Sequence, residues 1–339
     1  MSGPPAAEQA CRHALHSSLV RHGLQGRPLL VACSGGQDSV ALALAASFVV
    51  PRLGGTVGAC VVDHGMQAGS TYAARRAAET CASLGLDPVR LQPVKVTPRS
   101  TGPEGAARAA RLTGLLQAAQ EHGAAAVLLG HTLDDQAEQV LLGLVRGSGA
   151  RSLAGMPALR RLGGGPPTAG GSDVQLLRPL LSVTRRQTGQ ACAEAGLSTW
   201  HDPHNDDPRF TRVRVRHLLA ELESGLDRDL TVGLARSADL LRADSEALDE
   251  VTETAYLALG PLPWPAAAVT TYPAAVRTRL WRRVALEAGV PGSDLKAVHL
   301  RAVDALVADW HGQAPIDLPG RQVVHRQDGL IWLHERGEG

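Results

Sequence analysis

Six consecutive residues, Ser34-Gly35-Gly36-Gln37-Asp38-Ser39, have the types and spacing to bind an anion. The two glycines permit a tight turn and a close backbone approach to a ligand. A helix beginning near Asp38 would aim unpaired backbone N–H groups and the positive end of its dipole at that ligand. Ser34 and Ser39 add hydroxyl donors. The stretch is not a Walker loop, which has longer spacing and a Lys-Ser/Thr pair. A carboxylate beside a phosphate is repelled unless a cation intervenes, so Asp38 is expected to hold Mg²⁺, directly or through water.

A second group is His131-Thr132-Leu133-Asp134-Asp135-Gln136-Ala137-Glu138. On a helix, Asp134 and Glu138 lie four apart and Asp135 and Glu138 three apart, so they share a face. Carboxylates so close repel one another unless a cation sits among them. An N-cap role explains one of them, but not all of them with a histidine alongside. Asp63 and His64 close the second apolar run and would reach the carboxyl edge of a sheet, where ligands bind. A turn capped by Asp63 is the plainer alternative.

The elements that must position these groups alternate. Apolar runs at 28–33, 56–62, 89–96 and 126–130 read as strands, with helices at 40–48, 70–84, 104–122 and 134–146 between and after them. A strand at 174–177 and a helix at 184–195 continue the series. This predicts an α/β fold, a doubly wound parallel sheet covered on both faces. Residues 161–172 are a Gly/Pro-rich surface loop. From about 221 the alternation stops: helix 226–259, a Pro break at 261–265, two more helices up to Trp310, then a hairpin over 316–334 around Asp328-Gly329. The expected organisation is an N-terminal helix in 1–25 packed on a nucleotide domain of 26–220, and a mostly helical domain of 221–339 ending in the hairpin.

Composition sets wider bounds. A chain of 339 residues, 44% hydrophobic, can bury a large core and a smaller one. With 3% aromatics, the core is expected to be aliphatic. A net charge of +1 argues neither for nor against an anionic partner, and nearly all cations are Arg, the only lysines being Lys95 and Lys296. Cys11, Cys33, Cys60, Cys81 and Cys192 form no Cys-x-x-Cys pair, which points to a reducing compartment without a zinc or iron–sulfur site. Neither a secretory signal nor an apolar run of membrane-spanning length is present, so a soluble cytoplasmic protein with no membrane partner is expected.

Ser-Gly-Gly-x-Asp-Ser after a strand resembles the pyrophosphatase loop (PP-loop) of the ATP-pyrophosphatase superfamily. The stretch from His131 through Arg146-Gly147-Ser148-Gly149-Ala150-Arg151-Ser152-Leu153-Ala154-Gly155-Met156 is similar to the tRNA(Ile)-lysidine synthetase family within it. Arg178-Pro179-Leu180-Leu181, Asp202-Pro203-His204-Asn205-Asp206 and Phe210-Thr211-Arg212-Val213-Arg214-Val215-Arg216 extend the similarity, which covers about 29–219. Departures from the family pattern are Gln67, Leu112, Thr132, Leu133 and Val213.

The resemblance implies a PP-loop fold, ATP as co-substrate with Mg²⁺, and two steps on the wobble cytidine of the tRNA(Ile) with a CAU anticodon. The cytosine oxygen is adenylated with loss of pyrophosphate, and L-lysine then displaces AMP. On that footing Ser34, Gly35, Gly36, Gln37, Asp38, Ser39, Asp63 and His64 bind ATP, and Asp135 and Glu138 grip the lysine ammonium groups. Asp134 or His131 accepts the amine's proton. Arg111 and Arg212 or Arg214 neutralise phosphate charge. Arg214 and Arg216 touch tRNA phosphate or form a solvated face. Asp202 to Asp207 reads as a capped turn. A homodimer is common in the family. The nearest alternatives are a tRNA thiolase, an amide-forming synthetase, or an inactive tRNA-binding member; missing Cys pairs, a missing amidase motif and the intact carboxylates weigh against each in turn.

Overall fold

Apolar runs too short for a helix become the strands of a buried sheet, and the Ala- and Leu-rich segments between them become its covering helices. In the computed structural model, which describes residues 5–63, 69–94, 102–147, 149–162 and 174–337, the chain divides into two compact units, Met1–Asp239 and Leu240–Gly339. The first unit runs α1 (Ala6–Arg21), β1 (Leu29–Ala32), α2 (Gln37–Arg52), β2 (Val57–Asp63), α3 (Ser70–Ser83), β3 (Val89–Pro93), α4 (Gly102–Glu121), β4 (Ala126–Leu129) and α5 (Leu133–Val145). It continues with α6 (Ala150–Leu153), β5 (Leu159–Arg161), β6 (Gln175–Leu177), α7 (Arg185–Glu194) and α8 (Thr211–Leu226).

The sheet order is β3-β2-β1-β4-β6-β5, all parallel except β5, which pairs antiparallel with β6. Strand alternation sends Leu29 and Val31 into a core with α1, α2, α3 and α7, and Leu30 into a second core with α4. Winding reverses at β1, which lies between β2 and β4, and there the loops after β1 and β4 open side by side. The antiparallel β5 was not foreseen. It is three residues long and half-buried, so no apolar run announces it.

The helix expected over 226–259 is interrupted. Asp227 takes a left-handed conformation (φ 49°), ending α8, and α9 spans Leu230–Leu259. The second unit continues with β7 (Trp264–Pro265), α10 (Ala266–Thr270), α11 (Ala274–Glu287), α12 (Ala297–Ala308), β8 (Ile316–Asp317), β9 (Gln322–Gln327) and β10 (Leu330–Glu335). β9 and β10 form the expected hairpin, with Asp328 and Gly329 both at positive φ, but β7 joins β10 and β8 joins β9 to make a four-stranded antiparallel sheet. The aliphatic-core expectation fits the first unit only. Trp264 and Trp281 are the largest buried side chains of the second, with ring centroids 5.7 Å apart. Among the described residues, no helix is long and apolar enough to cross a membrane.

Candidate active site

The loop after β1 is built to present backbone. Gly35 sits at φ +84°, and a Cβ there would lie 3.2 Å from the Ala77 Cβ and 3.6 Å from the Trp200 Cβ, so only glycine fits. Gly36 is the N-cap of α2 and has no side chain to cap it, so the first turn keeps its N–H groups for a ligand. Ser39 braces the loop from inside: its hydroxyl donates to Gly36 O (2.9 Å) and accepts from Ser34 N (3.1 Å), with Ser34 Oγ 3.2 Å away. The Gln37 side chain donates to Arg185 O (2.8 Å), tying the loop to α7.

The loop after β4 comes against the first. A Cβ on Gly130 would stand 2.8 Å from the backbone oxygen of Asp38, which is why glycine precedes His131. Asp135 closes the start of α5, its Oδ2 accepting from Thr132 N (2.8 Å) and Thr132 Oγ1 (3.1 Å). Its other oxygen accepts from Arg185 Nη2 at 2.8 Å. Glu138 is 2% exposed; its Oε1 accepts from Arg185 Nη1 (3.1 Å) and Arg216 Nε (3.0 Å), while its buried Oε2 accepts no hydrogen bond. Asp134 accepts from the backbone N of Arg185 (2.7 Å). Asp38 Oδ1 accepts from the Thr188 hydroxyl, and Oδ2 lies 3.7 Å from Arg185 Nε.

Arg185 is therefore the hub of the acidic group. Burial draws its pKa down, but Asp135, Glu138, Asp38 and Asp134 outweigh that and raise it, so it stays charged. Burial raises the Asp38 carboxyl, against the Thr188 hydrogen bond and Arg185. His131 is lowered to about 3, first by burial and then by Arg178, Arg111 and Arg108, with Asp135 opposing; it is neutral, and its buried Nδ1 has no partner. Arg111 is accessible from the cavity yet ringed by protein. Desolvation first, then Arg108 and Arg212, hold it below the usual guanidinium range.

A cavity of about 810 Å³ opens between the two loops. It brings together Ser34, Gly36, Gln37, Asp38, Ser39, Arg111, His131, Asp135, Glu138, Arg212 and Arg216 from the expected set. Four expected residues stand outside its lining. Gly35 shapes the loop from behind. Asp134 anchors α7. Asp63 accepts from Ser70 Oγ (3.1 Å) and Thr71 Oγ1 (2.8 Å) at the start of α3, the plainer of its two readings. Arg214 donates to Pro208 O (2.8 Å), Arg209 O (2.9 Å) and Thr211 Oγ1 (3.1 Å), bracing the turn before α8. His64 lies outside the described residues, as does Gln67.

The PP-loop domain family matches residues 7–223, and the TilS substrate binding domain family matches residues 265–332. A tRNA(Ile)-lysidine synthase from Thermobifida fusca is 48% identical over 334 residues, covering 98% of this chain and 98% of that protein. The chain belongs to the tRNA(Ile)-lysidine synthase family. A second member, from Streptomyces coelicolor, is 48% identical over 92% of this chain and 87% of its own length. Among solved structures, the U34-tRNA thiolase NcsA from Methanococcus maripaludis superposes with a TM-score of 0.54 at 18% identity, over 69% of this chain and 79% of that one, a likeness of fold.

Their contacts divide the quoted motifs between scaffold and cavity lining. Arg178, 3% exposed, donates to Pro157 O (2.7 Å), and Gln136 pairs with the Met156 backbone through both ends of its amide. A Cβ on Gly155 would stand 2.6 Å from Gln136 Oε1. These residues hold the strands and helices around the cavity without lining it. Arg185 was missed, although one signal was legible. It opens α7 just after the Thr184 N-cap, where a cation faces the wrong end of the helix dipole unless carboxylates hold it.

Proposed function

We propose that this chain joins L-lysine to the wobble cytidine of the CAU anticodon of tRNA(Ile) in the cytoplasm, consuming ATP and releasing AMP and pyrophosphate. The observation that carries the reading is that Asp38, at the open end of α2, and Glu138, in the acidic group, line one cavity. A triphosphate and an ammonium must meet over one base, and the cavity offers each its counter-charge.

In the first step the cytosine oxygen attacks the α-phosphorus, the bond to the bridging oxygen breaks, and pyrophosphate leaves. The N–H groups of α2 and Ser34 hold phosphate oxygens, while Arg111 and Arg212 face the charge that accumulates there. In the second step a lysine amine attacks the activated ring carbon, AMP leaves and the amine loses a proton. Glu138 Oε2, a buried acceptor of the group without a hydrogen bond, takes an ammonium of lysine, with Asp135 beside it. Neutral His131 accepts a hydrogen bond from the attacking amine, whose proton passes on to water; Asp134, engaged with the Arg185 backbone, is the poorer choice. Much of the barrier reduction comes from holding the reactants together.

The residues also suit Mg²⁺. Asp38 Oδ2 has only its long contact with Arg185, and among the described residues no cluster of three or more His, Cys, Asp or Glu could hold a cation unaided. One protein carboxylate plus substrate phosphates is the usual Mg²⁺ environment. When bound, the ion neutralises phosphate charge and favours loss of pyrophosphate.

The test is incubation with ATP, Mg²⁺, labelled lysine and a tRNA(Ile) transcript bearing CAU. Label stable in the tRNA is expected; pyrophosphate release without label transfer would refute the lysine assignment.

A further inference from the structure

Two flat rings must enter this cavity, the adenine of ATP and the cytosine to be modified, and two different walls are available. One consists of aliphatic and thiol side chains at the carboxyl ends of the central strands and on α4, among them Cys60, Val62, Leu115 and Leu129. The other comes from a single stretch of irregular chain and carries Trp200, His204 and Phe210. Aromatic residues are scarce here, with two Phe, five Trp and three Tyr in the chain, so a Trp and a Phe ten positions apart on one cavity wall is a concentration. Trp200 leaves 40% of its surface accessible, and His204 and Phe210 pair with centroids 5.3 Å apart.

We propose that Trp200 and the His204–Phe210 pair form the subsite that stacks on the cytosine drawn out of the anticodon loop. This deepens the ligation reading and rests on it. An extruded base has lost its stacking neighbours, and aromatic faces replace them.

The stretch is stiff without using its rings. Trp200 N donates to Gly35 O (2.8 Å), fixing the indole beside the PP-loop, where the α-phosphorus must meet the cytosine oxygen. Asp202 Oδ1 caps the following turn by accepting from His204 N (2.9 Å). The Arg214 guanidinium holds the carbonyls of Pro208 and Arg209, and Phe210 N donates to Asp207 O (3.1 Å). Phe210 is the residue from which α8 departs, so Arg212, which faces the ATP phosphate charge, and Arg216, held by Glu138, rise from the same wall. The aliphatic wall, at the strand ends beside the triphosphate loop, is left for adenine.

The test uses a CAU anticodon stem-loop with pyrrolocytosine at the wobble position, whose emission is quenched by stacking, together with steady-state kinetics on the full tRNA transcript. Emission should fall on binding to the native chain, and Trp200→Ala and Phe210→Ala should keep most of it. Both variants should raise the KM for tRNA about tenfold, in line with the loss of one stacking partner, and leave the KM for ATP unchanged. Trp200→Phe should restore quenching and KM to within about threefold, which a general loss of folding would not allow. A raised KM for ATP with an unchanged KM for tRNA would assign the rings to adenine and overturn the proposal. So would unquenched emission on the native chain at saturating protein. The fluorescence assay needs no chemistry, so failure of lysine transfer would defeat the ligation reading without deciding this one.

Discussion

The helices α2 and α5 both begin at the carboxyl edge of the sheet, at neighbouring strands, and their first turns are finished in opposite ways. At α2 the cap is Gly36, with no side chain to satisfy the open N–H groups. At α5 the cap is Thr132, and Asp135 folds back to accept both its N–H and its hydroxyl. Two extended caps thus leave open N–H groups, suited to an anion, in one place and a cluster of carboxylates in the other. The difference lies in which residues stand at the cap and in the first turn, and Arg185 keeps the second site from repelling itself apart. A binding edge in such a fold is written by helix caps at the switch point as much as by the residues conventionally called catalytic.

The sharpest way to break the comparison is at Asp38, which stands at the open cap. Asp38→Ala should lower pyrophosphate release by at least about 10²–10³-fold with tRNA saturating, the loss typical of a group stabilising transition-state charge. A rate within tenfold of the native chain would move the phosphate chemistry elsewhere.

Next comes the hub. Arg185→Ala leaves Glu138, Asp135 and Asp38 crowded with one cation fewer, and breaking such a partly buried pair costs about 3–5 kcal/mol. Chemical denaturation of the variant should show it, with partial recovery on adding millimolar lysine, which supplies a replacement ammonium. Recovery by an equal concentration of sodium chloride would reduce the effect to simple screening.

The smallest effect expected is on pH dependence. His131 titrates at about 3 in the folded chain because burial, Arg178, Arg111 and Arg108 outweigh Asp135. Between its ordinary value and about 3, the unfolded chain binds a proton that the folded chain refuses, so stability falls as pH drops through that window. Between pH 7 and pH 5 this amounts to about 1–2 kcal/mol, and His131→Gln should remove it. Urea midpoints of the two proteins at both pH values would decide; parallel slopes would show that His131 titrates normally.

The phosphate loop was legible in the sequence because strand, glycine turn and helix are adjacent in the chain, and local chemistry dictates local geometry. The carboxylates of α5 were legible for the same reason, through helical spacing. Asp63 was ambiguous because a carboxylate at a strand end serves equally as ligand or as the support of the next helix; Ser70 and Thr71 donate to it, as the support reading expects. Arg185 and Trp200 meet partners far off in sequence, Asp38 and Gly35, and apart from the cation at the start of α7 nothing in their own neighbourhoods points to those contacts. The edge strand β5 and the short β7 and β8 are held by pairing with neighbours and carry too few residues to show a period.

Glu138 gives the most direct test that both chemistries share one cavity. With the isosteric Glu138→Gln, pyrophosphate release and labelled-lysine transfer should be followed in the same reaction across a range of lysine concentrations. Pyrophosphate release should persist near the native rate while the lysine concentration for half-maximal transfer rises by about tenfold or more, as expected for loss of a charged hydrogen bond. An unchanged lysine requirement, or loss of pyrophosphate release with normal lysine dependence, would contradict the assignment of the ammonium to this carboxylate.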